Sequence, residues 1–155
     1  MKKQILDSRR AVMIAVANGY QGGRECAAAR LGIPLKRLEN QIYGTAGVKP
    51  LDDTEISVLE REEGTTHLPD YICAMYGGVF VPLPDSEQTS ADLYDLSFST
   101  STAKGTVDLL ILKALSDGEI DAQEAAEIRA VHSKHMAARH AEIDGVIAAH
   151  QRRVG

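Results

Sequence analysis

The chain has 155 residues, 44% of them hydrophobic, which suits one ordinary globular domain or one small domain with an appendage and excludes a disordered chain. Aromatic residues make up only 5% and Trp is absent, so the core must be built from Leu, Ile, Val and Ala, as helices allow. The net charge of −5 hides a split: residues 1–50 hold nine Lys/Arg against three Asp/Glu (+6), and residues 51–155 hold eight against nineteen (−11). An uneven distribution of this kind marks the basic part as the contact for a polyanion.

Asp7 or Ser8 is expected to cap a first helix that runs to about Ala17, with Val12, Ala15 and Val16 inward. Asn18-Gly19 ends it, and Tyr20 to Gly23 is a link in which Tyr20 packs. The stretch Gly22–Gly44, GGRECAAARLGIPLKRLENQIYG, then reads as helix, tight corner and second helix. Arg24–Leu31 is the first of these helices and Gly32 stops it, because glycine past a helix end takes the left-handed conformation at little cost. Pro34 opens the next helix, Leu35–Tyr43, and Gly44 closes it. Ala27, Ala28 and Leu31 share one face, Leu35, Leu38 and Ile42 share another, and Ile33 plugs the angle between them. The outer face of the second helix carries Lys36, Arg37, Glu39, Asn40 and Tyr43. This is a helix-turn-helix with a cationic, amide-bearing surface.

Thr45–Leu51 is a loop carrying Lys49. Asp52 or Asp53 caps a helix over Thr54–Glu63 with Ile56 and Leu59 inward, and Gly64 stops it. His67–Met75 is a fifth helix with Leu68, Ile72 and Met75 on one face, followed by an extended Val79–Pro84. Five short helices with the second and third forming a helix-turn-helix is the plan of the lambda-repressor-like domain, assigned here to residues 1–84. Residues 85–105, rich in Ser, Thr and Asp, read as a linker. Residues 106–155 form a helical oligomerisation region. Its first helix, Thr106–Leu115, has Val107, Leu110, Ile111 and Ala114 on one face. Asp121 and Glu124 then cap a long helix to about Arg152. Ile128, Val131, Met136, Ile143, Val146 and Ile147 lie on a stripe of that helix, which is expected to pack on another copy of the chain; Gly145 offers a kink.

Cys26 and Cys73 lie far apart with no paired His and read as reduced core thiols. The acidic turn Asp117–Asp121 lacks the alternating ligands of a calcium loop. His132, His135 and His140 have no carboxylate cluster to complete a metal site. Phosphate-binding loops, nucleophile elbows and HExxH are absent, so neither an enzyme nor a cofactor or metal is expected. With no membrane-length apolar run and no signal-peptide pattern, the expected location is the cytoplasm, without membrane partners.

Three blocks, GGRECAAARLGIPLKRLENQIYG, LDDTEISVLEREEGTTHLPDYICAMYGGVFVPLP and LSDGEIDAQEAAEI, together resemble the phage CII-type regulatory proteins of the YmfL group. The resemblance spans nearly the whole chain. It implies a DNA-binding prophage regulator of the lysogeny decision, with a lambda-repressor-like N-terminal domain, a helical C-terminal region and oligomerisation.

In this all-α reading the second motif helix enters the major groove of double-stranded DNA. Asn40 pairs with adenine, Lys36 or Arg37 with guanine, and Gln41 is the weakest of the four base-contact candidates because it lies toward the inner side. Arg24, Lys49, Arg9 and Arg10 are the expected phosphate contacts. The apolar Pro34-Leu35 start is unusual for a reader of bases. A dimer or tetramer, nucleoid-associated when bound, would read two half-sites. RNA polymerase or another regulator is a further expected partner. The competing expectation is a protein-interaction module that works through its acidic C-terminal hairpin.

Overall fold

The computed structural model describes residues 5–45, 47–83 and 93–151. Among them the chain is all helix, with no strand. The helices are α1 (Arg9–Gly19), α2 (Gly23–Arg30), α3 (Leu35–Tyr43), α4 (Asp53–Glu63), α5 (His67–Met75), α6 (Leu93–Ala114) and α7 (Ala122–His150), with one 3₁₀ turn at Leu115–Asp117. The chain divides into two compact units, and the division falls between Phe80 and Val81.

In the first unit α1 packs on α2, α3, α4 and α5. Ser8 caps α1, its hydroxyl accepting from the Ala11 N–H at 3.2 Å. Val12, Met13, Val16 and Ala17 of α1 are buried with Ala27, Ala28, Leu38, Ile42, Leu51, Ile56, Leu59 and Leu68. Ala28 contributes by being small, since a larger side chain would hold the helices of the corner apart. The corner closes as expected: Gly32 turns left-handed, and the Ile33 N–H donates to the Ala28 carbonyl at 3.0 Å. Pro34 stands at the N-cap of α3 with extended backbone and so precedes the helix rather than opening it. Asp52 caps α4 through a reciprocal capping box with Glu55. Met75, expected inward, is 60% exposed, because only the first turns of α5 reach the core.

Glu60 ties α4 to α5. It is a buried carboxylate whose Oε1 accepts from the Thr65 hydroxyl (3.1 Å) and the His67 N–H, and whose Oε2 accepts from the Leu68 N–H (3.2 Å). Thr66, at the N-cap of α5, makes no side-chain capping bond, so Glu60 satisfies the free N–H groups of that helix from outside it.

At the surface, Glu62 accepts from the Tyr20 hydroxyl and from Arg30. The Tyr20 hydrogen bond, then Arg30, hold the Glu62 carboxyl below its ordinary range. A lowered carboxyl stabilises the fold above its unfolded pKa, and that contribution disappears as the pH falls through the lowered value. Tyr20→Phe is therefore expected to lower the melting temperature at neutral pH and to lose that effect in acid. Melting curves of both chains against pH check this; a constant difference at every pH contradicts it.

The second unit contains a helical hairpin, and it overturns part of the linker expectation. Residues 93–105 are helical: α6 begins at Leu93 and adds more than three turns to the expected helix. Residues 85–92 of the expected linker, and Pro84 before it, lie outside the described residues. Leu93, Leu96, Thr100, Ala103, Val107, Leu110 and Ala114 recur at alternating spacings of three and four, the heptad seam of a two-helix coil. Its Ser and Thr residues are accommodated by bonding back one turn: the Thr100 and Thr106 hydroxyls each donate to a carbonyl four residues earlier at 3.0 Å. Burial against α7 outweighs their weak helix preference.

Gly145 does not kink α7, which continues through it. A Cβ there would lie 2.7 Å from Leu96 Cδ1 and 3.3 Å from Leu93 Cδ2, so the glycine lets α6 approach closely. Glu142, one turn earlier, faces α6; Arg139 first, then the Thr100 and Ser97 hydroxyls, hold its carboxyl below the usual range. This polar layer favours one register for the hairpin.

Candidate nucleic-acid interface

The outer surface of α3 is set by its inner one. Leu38 and Ile42 are fully buried, one turn apart, and they fix the rotation of the helix on α1 and α2. Lys36 and Arg37 are thereby exposed, with Glu39 and Asn40 half-exposed beside them. The Lys36 ammonium lies 4.0 Å from the Glu39 carboxylate. Asn40 Oδ1 accepts from the Thr45 hydroxyl at 2.8 Å. An amide oxygen has two lone pairs, so this bond orients Asn40 and leaves capacity for a base edge.

Gln41 is corrected. It is only 4% exposed, packed on the side of α3 that faces the core, and no base edge can reach it. It follows Asn40 by one residue, a rotation of about 100° that carries it to the buried side.

The four expected phosphate contacts separate in the structure. The Arg9 guanidinium donates to Asp53 and to the Leu51 carbonyl (3.2 Å), so it fastens α1 to the start of α4. Arg10, the next residue, is exposed and reaches the C-terminal end of α3, where its Nη2 would lie 3.0 Å from a Cβ placed on Gly44. Arg24 donates through Nε to Asn18 and through Nη2 to the Tyr43 hydroxyl at 2.6 Å, and its guanidinium stacks 5.2 Å from the Tyr43 ring centre. The end of α3 thus positions a cation from the start of α2. Lys49 is exposed and borders a shallow depression beside Asp52 and Asp53.

Cations therefore flank α3 at both ends, with exposed Lys36 and Arg37 in its first turn, and exposed Arg10 and half-buried Arg24 around its last. The surface is selective about which cations it offers, since Arg9 and Arg30 are engaged by Asp53 and Glu62 of α4. Three further residues shape it. Asn18 and Tyr43 hold Arg24, and Thr45 holds Asn40. The Arg24–Tyr43 pairing spans nineteen residues, and no local pattern signals it.

Salt dependence separates the two neighbouring arginines. Arg10→Gln is expected to reduce the slope of log affinity against log salt by about 0.9 if Arg10 meets one phosphate. Arg9→Gln is expected to lower thermal stability and leave that slope unchanged. A salt titration of both variants on one duplex reads the difference.

The two cysteines, expected in the core, differ from expectation. Cys26 is exposed on α2, with its sulfur beside Gly22, and Cys73 is half-buried. His132 and His135 have ring centres 5.9 Å apart, and no group of three or more potential metal ligands occurs among the described residues. No described helix is long and apolar enough to cross a membrane.

No family model, no curated protein and no solved structure matches the chain.

Proposed function

We propose that the protein is a sequence-specific, double-stranded DNA-binding regulator of phage or prophage origin that acts in the lysogeny decision. The observation that carries this reading is the outer face of α3: Lys36, Arg37 and Asn40 stand outward on the second helix of a helix-turn-helix, with Arg10 and Arg24 beside its far end. Five short helices in the Gln4–Phe80 unit, with the second and third forming the corner, support a lambda-repressor-like arrangement. The phage assignment rests on the three sequence blocks that resemble the CII-type regulators.

In this reading α3 lies in the major groove. Lys36 or Arg37 donates to guanine O6 and N7, and Asn40 makes the paired contact with adenine. Arg10 and Arg24 hold the backbone and supply affinity without sequence choice. Oligomerisation joins two such modules and raises affinity through effective concentration, for half-sites one helical turn apart or a multiple of it.

A gel-shift titration of the full chain on the DNA flanking its own gene tests the proposal. A discrete complex that survives excess non-cognate competitor at moderate salt is expected. Equal loss to specific and non-specific competitor overturns sequence-specific binding.

A further inference from the structure

The oligomer contact expected on α7 changes in the structure. Ile128 and Val131 lie on the α7 seam that faces α6 of the same chain and are half-buried there, with Ile128 beside Leu110 and Ala114. Met136 is half-buried too, and only Ile143, Val146 and Ile147 remain exposed, near the end of α7. The reason is the length of α6, whose 22 residues cover much more of α7 than the expected ten-residue helix would.

The larger apolar exposure is on α6 itself. Tyr94, Phe98, Leu109 and Leu112 are each 64–73% exposed. At helical spacing they fall within an arc of about 60°, on the side opposite the seam formed by Leu96, Thr100 and Val107. Such a stripe on a helix whose other face is already packed needs a partner.

We infer that this stripe is the contact between two copies of the chain, with the two α6 helices antiparallel about a two-fold axis near Ala103. Its pattern is self-complementary, which an isologous interface requires and a foreign partner does not. When α6 is laid against a reversed copy of itself, Tyr94 falls opposite Leu112 and Phe98 opposite Leu109. The two pairs are centred within half a residue of each other, and Ser101 and Gly105 lie between them, where small residues allow the helices to cross closely. Asp95 and Lys113 are exposed on one flank of the stripe, and their midpoint falls within about one residue of that centre. Like flanks meet in an antiparallel pair, so Asp95 of each copy faces Lys113 of the other. Lys104 and Asp108, on the opposite flank, pair within their own helix at 2.6 Å. The helix is about 33 Å long and a neighbouring helix packs ~10 Å away, so the contact can approach the roughly 800 Å² per partner of a stable dimer. This inference deepens the oligomer part of the proposed function and does not depend on DNA binding.

Sedimentation equilibrium of the full chain tests it. The wild type is expected to be a dimer. The double variant L109K/L112K is expected to raise the dissociation constant at least about a hundredfold with unchanged helix content by circular dichroism, since both leucines are exposed. D95K and K113D are each expected to weaken the dimer by about twofold to tenfold, and the double exchange D95K/K113D to recover most of the loss. A monomeric wild type, which would assign the stripe to a different protein, overturns the inference; so does a dimer that L109K/L112K leaves intact. A wild-type dimer sensitive to these changes but unable to bind DNA supports the interface and removes only the functional reading.

Discussion

Alanine at Lys36, Arg37 and Asn40 together is expected to lower affinity for the specific site about a hundredfold and to leave the fold intact. A well-placed bidentate contact to a base discriminates by about 1–3 kcal/mol, and two such contacts at the middle of that range exceed two factors of ten. Lys36 and Arg37 are exposed, so truncating them empties no core space. Asn40 supports the end of α3 through its backbone carbonyl, which accepts from the N–H groups of Gly44 and Thr45, and alanine keeps that carbonyl. Affinity for a scrambled duplex is expected to fall much less, because Arg10 and Arg24 remain. Fluorescence anisotropy on both duplexes at one salt concentration measures the ratio. A triple variant that binds the specific site as tightly as wild type removes α3 from the interface. Thr45→Val adds a finer test: it removes the hydroxyl that orients Asn40, so a smaller loss is expected, confined to the specific duplex.

Glu60→Ala is expected to be the most damaging single change at a charged position, costing about 3 kcal/mol of stability in the first unit. The carboxylate receives the Thr65 hydroxyl and the His67 N–H, both partly buried, and the buried Leu68 N–H. Hydrogen bonds to charged groups are worth about 1.5–3 kcal/mol, and an N–H group left buried and unpaired adds its desolvation cost. For a unit of this size the melting temperature is expected to fall by about 15 °C. Glu60→Gln keeps one acceptor oxygen and is expected to recover part of the loss. Glu62→Ala, two residues on and at the surface, is expected to be far milder. Thermal melts of the three variants check the order; equal effects at positions 60 and 62 contradict it. Loss of Glu60 also loosens α5 on α4, which packs against α1 and so bears on the core beneath α3.

The helix-turn-helix was legible because its signals are local. Gly32 and Gly44 end helices through their own backbone freedom, and Leu38 and Ile42 set the inner face by spacing alone. The capping boxes at Asp52–Glu55 and Asp121–Glu124 are equally local, with cap and partner three residues apart. Gln41 was partly legible, since its place toward the inner side follows from helical rotation; its burial required knowing how wide the packed face is. Arg9 and Arg10 are adjacent and chemically identical. Only the position of Asp53, forty-four residues from Arg9, decides which of them is held and which is free.

The C-terminal half was less legible. A Ser/Thr-rich stretch carries weak helical preference, and the seam from Leu93 to Ala114 includes Thr100 and two alanines, which barely register as apolar. Packing on α7 supplies the missing stabilisation, and propensity measured along the chain cannot include it. The same omission hid that α6 half-buries part of the α7 stripe, at Ile128, Val131 and Met136. Once α6 is seen to cover the seam of α7, the exposed large side chains of the hairpin include Tyr94, Phe98, Leu109 and Leu112 on α6, together with Ile143, Val146 and Ile147 near the end of α7.

By itself the sequence determined the helical class, the corner between α2 and α3, the caps, and the cationic residues of the α3 outer face, because each depends on residues within about one or two turns of one another. The tertiary structure alone decided which cations stay free, that Arg24 is held by Tyr43, that residues 93–105 are helix, and that Gly145 is a point of close approach and not a kink. Those outcomes depend on partners brought together from distant positions or on burial against another helix, and neither is written in local spacing.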